Sequence, residues 1–182
     1  EIEVGLRANG RRLTLTTREV APTGGAGNLG EAPVIVASGG ARGVTATTLV
    51  ALAKAAQPRL VLLGRTALED EPEAVQGLEA DGELKSALLR SGQASGKTWT
   101  PVELGAAVRR IRANREIRKT LEDLAVAGSE ARYVAVDVTD QEALGEALSE
   151  VRTSWGPITG LIHGAGVLAD KLIAEKTDDQ AH

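Results

Sequence analysis

The stretch Val34-Ile-Val-Ala-Ser-Gly-Gly-Ala-Arg-Gly-Val44 decides the fold that we predict for this chain. Its four leading apolar residues predict a short buried strand, the glycines end that strand, and a helical pattern continues from Val44 to about Ala56. A strand, a glycine turn and a helix can together bind a nucleotide pyrophosphate, because the free N–H groups and the positive dipole end of the helix face the anion. Glycine leaves the backbone open to that approach because it has no side chain.

The glycine spacing alone is not decisive. Gly39, Gly40 and Gly43 form a G-G-x-x-G pattern, and Thr45 stands where the dinucleotide fingerprint G-x-G-x-x-G has a further glycine. The same residues also suit an ordinary strand-to-helix turn. The rest of the chain has to separate the two interpretations.

Composition limits the class of protein. The 182 residues predict one globular domain, and 42% hydrophobic content is enough for a core. With no cysteine and two histidines, a disulfide, a thiolate metal site and a His-rich metal site are all excluded. A net charge of −4 argues against nucleic-acid binding. We find no signal peptide and no apolar run of about 20 residues, and we expect a cytoplasmic protein.

The pattern along the chain predicts three parts. Residues 1–21 contain an alternating stretch, residues 11–20, which predicts one strand of a preceding structural subdomain or of the sheet edge. Residues 22–33 are rich in Gly, Ala and Pro and predict a linker. Residues 34–182 form the nucleotide-binding domain. Since the sequence has no methionine, we expect it to be part of a longer protein, cut at the N-terminus or at both ends.

Three further apolar strands are predicted at residues 60–64, 133–136 and 159–163, with helices between them. Such alternation predicts an α/β fold, a doubly wound parallel sheet of the Rossmann type. Thr139 and Glu142 match a capping box that would start a helix running to about Arg152.

Residues 66–131 are longer than a crossover needs and predict a helical insertion. Thr100-Pro-Val-Glu103 predicts a helix start. The apolar stripe changes sides near Asn114, which predicts a kink or break there, or burial on two sides. The same helix carries a cluster of cations, which we interpret as a solvated face, with a dock for an acidic partner protein as the alternative: Arg109, Arg110, Arg112, Arg115, Arg118 and Lys119.

Two arginines favour NADP over NAD as the cofactor. Arg65 follows the second strand at the place where an acidic residue would accept the ribose hydroxyls of NAD, and a guanidinium there can bind a 2′-phosphate. Arg42 lies in the glycine turn and can approach the same group. Each alone could be a surface charge, but together they predict NADP.

The ends of the later strands complete the predicted site. Asp137 and Val138 could bind an adenine edge, although an Asx turn with Thr139 explains Asp137 almost equally well. Gly164 to Gly166 would let the backbone pass close to the second ribose. His163 is interpreted as a core or strand-end residue, not a catalytic one.

These motifs together resemble the short-chain dehydrogenase/reductase superfamily, and more narrowly the ketoreductase domain of type I polyketide and polyunsaturated-fatty-acid synthases. The resemblance rests on the opening stretch up to Thr45, Val61-Leu-Leu-Gly-Arg-Thr66, Asp137-Val-Thr-Asp140, Ile162-His-Gly-Ala-Gly-Val-Leu-Ala-Asp170 and the charged Arg115-Glu-Ile-Arg-Lys-Thr-Leu121. It implies these cofactor-binding residues: Gly39, Gly40, Ala41, Arg42, Gly43, Val44, Arg65, Thr66, Asp137, Val138, Gly164, Ala165 and Gly166.

The resemblance also implies a function, and it implies that the catalytic residues are not in this sequence. A ketoreductase of this kind transfers hydride from NADPH to the β-keto group of an acyl chain carried by an acyl carrier protein, beside other domains of the same synthase. Its catalytic Ser, Tyr and Lys are expected beyond His182, since Tyr133 lies on a buried strand and Lys171 and Lys176 come too soon. We therefore expect the given chain to be inactive alone. The alternatives are another extended reductase or epimerase, and a structural or docking module with a vestigial nucleotide site.

Overall fold

The computed structural model describes residues 4–14, 16–20, 29–166 and 177. These residues form six strands, four helices and one short 3-10 helix, Glu73–Val75. In chain order they are β1 (Val4–Leu6), β2 (Arg12–Thr14), β3 (Val34–Ser38), α1 (Gly43–Ala56), β4 (Arg59–Gly64), α2 (Asp81–Ala94), α3 (Pro101–Val126), β5 (Ala131–Ala135), α4 (Gln141–Trp155) and β6 (Gly160–His163). No helix in these ranges is both long and apolar enough to cross a bilayer.

The strand predicted over residues 11–20 is shorter than expected. Only Arg12–Thr14 is a strand, and it pairs antiparallel with β1 in a two-stranded sheet of its own. The pairing extends to Val4 opposite Thr14, and residues 16–20 are exposed and not part of any strand. An alternating pattern forms a strand only where a partner strand supplies the hydrogen bonds.

The main sheet has four parallel strands in the order β5-β4-β3-β6. Successive side chains of a strand point to opposite faces. On one face, Ile35 and Leu62 pack in the sheet core, whose buried residues are Ile35, Ala37, Ala41, Leu49, Ala53, Leu60, Leu62, Ile117 and Leu124. On the other, Val36 and Leu63 pack against Val151 and Trp155 of α4. The prediction of a doubly wound parallel sheet is confirmed.

Helix α3 passes Asn114 without a break, and the alternative in the prediction, burial on two sides, is what the structure shows. Its first half packs into a satellite core, formed by Val75, Leu84, Ala87, Leu88, Leu104, Ala107, Val108 and Ile111. Its second half packs through Ile117 and Leu124 into the sheet core. The apolar stripe of α3 changes sides because one continuous helix packs into two different cores.

Helix α4 begins one residue later than the predicted capping box. Asp140 is the N-cap, and its side chain accepts a hydrogen bond from the N–H of Ala143 at 3.1 Å. Thr139 instead donates from its N–H and its hydroxyl to Asp137 Oδ1, at 3.0 and 2.8 Å. Its hydroxyl is therefore engaged in the turn before the helix.

Candidate functional site

A cleft of about 610 Å³ opens at the carboxyl ends of the parallel strands. It lies where β3 pairs with β4 on one side and β6 on the other, which is the switch point at which open α/β sheets bind ligands. Its lining combines backbone from the glycine turn with side chains that follow β4, β5 and β6: Gly39, Ala41, Arg42, Leu63, Gly64, Arg65, Thr66, Ile117, Tyr133, Val136, Asp137, Val138, Thr139, His163, Gly164, Ala165 and Gly166.

The glycine turn, residues 39–43, needs its first glycine for two reasons. Gly39 has φ +66°, a left-handed conformation that L side chains rarely adopt. A Cβ there would also lie 2.8 Å from the backbone N of Ala165 and from Gly164. The turn after β3 and the segment after β6 therefore touch backbone to backbone, and together they form one wall of the cleft.

The missing glycine of the fingerprint is compensated elsewhere in the chain. Thr45 occupies the position of that glycine on α1, and its side chain packs on Gly164, where an added Cβ would lie 2.5 Å from Thr45 Oγ1. In the usual fingerprint the third glycine allows close packing of helix and strand. Here the space is provided by Gly164, on the other side of the contact.

The start of α1 carries an unexpected side chain. Glu116 of α3 accepts a hydrogen bond from the N–H of Gly43 at 2.9 Å, and its second oxygen is 3.0 Å from Arg42 Nε. Thr120, one turn further along α3, donates to the carbonyl of Ala41 at 2.9 Å. Sequence reasoning missed Glu116, because it is one charged residue among many and lies 73 positions from Gly43. No local pattern could have shown the contact.

The segment after β4 is held in place by Tyr133. The hydroxyl of Tyr133 donates to the carbonyl of Thr66 at 2.7 Å, and its ring lies so close to Gly64 that a Cβ there would be 2.8 Å from the hydroxyl oxygen. Burial raises the pKa of Tyr133. The arrangement supports the backbone beside Arg65, and does not prepare the phenol as a proton donor.

Asp137 has the local role that was the alternative interpretation. It closes an Asx turn by accepting two hydrogen bonds from Thr139. These bonds, first from the backbone N–H and then from the hydroxyl, lower the pKa of Asp137, and the charge of Arg65 lowers it further. Asp137 is partly exposed and lines the cleft beside Val138, so its carboxylate remains available to a ligand.

His163 lies at the end of β6, as predicted, and has a partner. Its Nδ1 is 2.6 Å from Oγ of the buried Ser38 at the end of β3. The N–H of Ala165 also reaches Ser38 Oγ, at 3.4 Å. These contacts fix the direction in which the chain leaves β6 toward the segment Gly164 to Gly166.

Three predicted cofactor residues do not line the cleft. Gly40 is buried, and a Cβ on it would meet Leu49 and Ala37 at 2.8 and 2.9 Å, so the position is required for packing. Val44 is 84% exposed at the start of α1. Gly43 has open space around its Cα, and its N–H is the group bound by Glu116. The other predicted residues all contribute to the lining.

Three arginines of the cation cluster on α3 form ion pairs with acidic residues of the same chain. Arg110 pairs with Glu69 at 3.0 Å and Arg112 with Asp81 at 2.5 Å. Arg115 pairs with Glu71, and that hydrogen bond raises the pKa of Arg115. Arg110 and Arg112 are exposed, as predicted for a solvated face, and all three arginines bind the acidic segment 69–81 of the same chain.

The sequence of this chain is similar to that of a known domain family and of known proteins. The family model of the KR domain matches residues 99–182. A polyunsaturated fatty acid synthase from Thraustochytrium sp. is 27% identical over 98% of the chain. The resemblance to synthase ketoreductase domains is confirmed. The chain spans 7% of the length of that synthase polypeptide.

Solved structures support the fold. An N-terminal ketoreductase from the macrolactin assembly line matches with a TM-score of 0.54 at 20% identity, over 93% of this chain and 24% of that chain. Carveol dehydrogenase from Mycobacterium avium, solved in complex with NAD, matches with a TM-score of 0.50 at 18% identity, over 81% of this chain and 41% of that chain. At these identities the two likenesses show the fold alone, a parallel sheet with flanking helices.

Proposed function

We propose that this chain is the cofactor-binding part of a cytoplasmic, NADPH-dependent β-ketoacyl reductase. Its substrate would be a β-ketoacyl chain on an acyl carrier protein, within a synthase of polyketides or fatty acids. The observation that carries the proposal is the cleft at the switch point of the sheet, which has the glycine turn on one wall and both Arg42 and Arg65 in its lining.

The donor set of the cleft suits a dinucleotide with a 2′-phosphate. The backbone of the glycine turn and the start of α1 would hold the pyrophosphate. Arg42 and Arg65 would bind the 2′-phosphate, which a guanidinium can do bidentately. Asp137 and Val138 would face the adenine, and the segment Gly164 to Gly166 the second ribose. A volume of about 610 Å³ lies within the range of ordinary ligand sites.

Bound NADPH would supply the hydride, and the residues of this chain would orient it. A proton donor for the resulting alkoxide is a separate requirement. Tyr133 is the one tyrosine of the sequence, and its hydroxyl already donates to Thr66. We therefore expect the chain by itself to bind the cofactor without reducing a ketone.

Equilibrium binding tests the proposal. Titration with NADP⁺ and NAD⁺ by calorimetry should give tighter binding of NADP⁺. Arg65→Ala should weaken NADP⁺ binding about 10- to 150-fold, since a hydrogen bond to a charged group contributes about 1.5 to 3 kcal/mol, and should leave NAD⁺ binding within about twofold. The matched control is Arg152→Ala, in the last turn of α4, which should change neither affinity.

One observation favours the vestigial alternative. Glu116 already engages the N–H of Gly43 and the side chain of Arg42, as an internal carboxylate would in a site that no longer binds nucleotide. Failure of both the chain and its Glu116→Ala variant to bind either nucleotide at millimolar concentration would support that alternative and overturn the reductase proposal.

A further inference from the structure

Glu116 engages two groups that the proposed cofactor would use. One carboxylate oxygen accepts from the N–H of Gly43, the first residue of α1, at 2.9 Å, and the other is 3.0 Å from Arg42 Nε. The side chains of Arg42 and Glu116 are 51% and 47% exposed. The contact is therefore open to solvent, and it borders the cleft through Arg42, which lines it.

Glu116 is also held in this position by its neighbours on α3. Ile117 is 1% exposed and packs in the sheet core. Thr120, one turn later, is buried and donates to the carbonyl of Ala41 in the glycine turn at 2.9 Å. The two anchors fix the helix against the turn, so the carboxylate has little freedom to leave except by rotating its own side chain.

A carboxylate in this position competes with a phosphate. One N–H cannot donate a full hydrogen bond to two anions, and a second negative charge beside it repels the first. Arg42 is affected in the same way, because a guanidinium paired through Nε presents less of its donor edge to a 2′-phosphate. Binding of a dinucleotide would have to displace Glu116 from both groups.

We propose that Glu116 is a specificity-determining residue that lowers the affinity of the site for dinucleotides, and lowers it more for NADP than for NAD. The N–H of Gly43 serves the pyrophosphate that both cofactors share, whereas Arg42 serves the 2′-phosphate that only NADP carries. This inference rests on the proposed function. It assigns to α3, which also builds the satellite core, a direct influence on cofactor choice.

Substitution of Glu116 tests the inference by equilibrium binding. Glu116→Ala should fold normally, since the residue is exposed in mid-helix and alanine is the best helix former; an unchanged thermal melt would verify this. We expect NADP⁺ to bind about three- to tenfold more tightly and NAD⁺ about twofold more tightly, as fits a half-exposed ion pair. Glu116→Gln, which keeps the length but not the charge, should give part of the gain.

The control is Glu122→Ala, which removes the same charge from an exposed position of the same helix. It should leave both affinities within about 1.5-fold, as screened surface charges have weak effects at a distance. Equal gains in Glu116→Ala and Glu122→Ala would attribute the effect to net charge and overturn the inference.

The outcomes separate this inference from the proposed function. Wild type and Glu116→Ala binding NADP⁺ with equal affinity would overturn the role of Glu116 and leave the cofactor site standing. Binding by Glu116→Ala but not by wild type would support the inference in its strongest form. If neither protein binds NADP⁺ or NAD⁺ at millimolar concentration, the site takes no dinucleotide, and both proposals are overturned.

Discussion

The two halves of α3 provide the most instructive comparison in this molecule. The first half joins the 3-10 helix and α2 around the satellite core, and the second half covers one face of the parallel sheet. Both cores contain leucines that are fully buried, such as Leu84 and Leu62. Only the second half touches the glycine turn, through Glu116 and Thr120. The half of α3 that contacts the site is therefore the half that packs in the sheet core.

The comparison predicts its largest effect in the sheet core. Leu62→Ala in β4 should lower the free energy of unfolding by about 4 kcal/mol, because it leaves a cavity beneath a central strand that cannot collapse easily. Urea denaturation measures the loss, and NADP⁺ titration of the remaining folded protein should show weaker binding. A loss below about 1 kcal/mol would mean that this face is not the main core.

The matched substitution in the satellite core should lower the free energy of unfolding by less, and its effect should be local. Leu84→Ala in α2 removes the same side chain from an equally buried position, and we expect about 2 to 3 kcal/mol, since a core next to surface loops relaxes more readily. Hydrogen exchange should accelerate in α2 and in the first half of α3, while the four strands stay protected. NADP⁺ affinity should stay within about twofold. Equal loss of protection in the sheet would show one cooperative unit and remove the distinction.

The next largest effect on stability is expected from the ion pairs between segment 69–81 and α3. The Arg115 guanidinium donates to Glu71 and to the carbonyls of Val75 and Leu78, and the side chains of Arg115 and Glu71 are about three-quarters buried. Arg115→Ala should therefore destabilise by about 1 to 3 kcal/mol. Hydrogen exchange of residues 71–78 measures the loosening.

A matched cation separates geometry from charge. Lys119→Ala removes an exposed pair with Asp123 on the same helix, and should change stability by at most about 0.5 kcal/mol. If the two variants behave alike, the contacts of Arg115 to the backbone contribute nothing beyond a surface charge.

The smallest effect is expected at the start of α3. Thr100 caps the helix, accepting from the N–H of Glu103 at 3.3 Å, while its own N–H and hydroxyl donate to the Glu103 carboxylate at 2.9 and 2.7 Å. Thr100→Ala should destabilise by about 1 kcal/mol. Thr153→Ala, whose hydroxyl only bonds back to Ser149 within α4, should change stability by less than about 0.5 kcal/mol.

The same cap has a pH dependence with a definite sign. The hydrogen bonds from Thr100, the backbone one first, lower the pKa of Glu103. The stabilisation is thus present above the ordinary glutamate pKa and is lost as the pH falls through the lower pKa of the folded state. Nuclear magnetic resonance titration should show the Glu103 pKa rising part of the way back in Thr100→Ala. An unchanged pKa would contradict the role of the hydroxyl.

The local signals of the sequence were sufficient for most of the sheet and for most of the cleft. Apolar runs located β3, β4 and β6 to within one residue and β5 to within two. The signal is clearest for β3 and β4, which are buried on both faces of the sheet. Parallel strands bring their carboxyl ends to one edge, so Arg65, Asp137 and Gly164 could be expected in one place from the sequence. The Asx turn at Asp137 was also within reach, as it spans only two residues.

Contacts between distant segments were not predictable in the same way. The burial of α3 on two sides of Asn114, the pairing of its arginines with residues 69–81 and the position of Glu116 depend on which surface lies opposite each face of the helix. A sequence pattern records that a face is apolar or charged, but not what covers it.

By itself, then, the chain of residues determined a parallel α/β sheet, a glycine turn after its first strand and two arginines near the edge where that turn lies, since strand periodicity and backbone freedom are local properties. Only the tertiary structure decided that Gly164 makes room for Thr45, that one helix serves two cores, and that Glu116 is bound to the start of α1. Each of these is a contact between residues dozens of positions apart, and such contacts are selected by the packing of the whole fold.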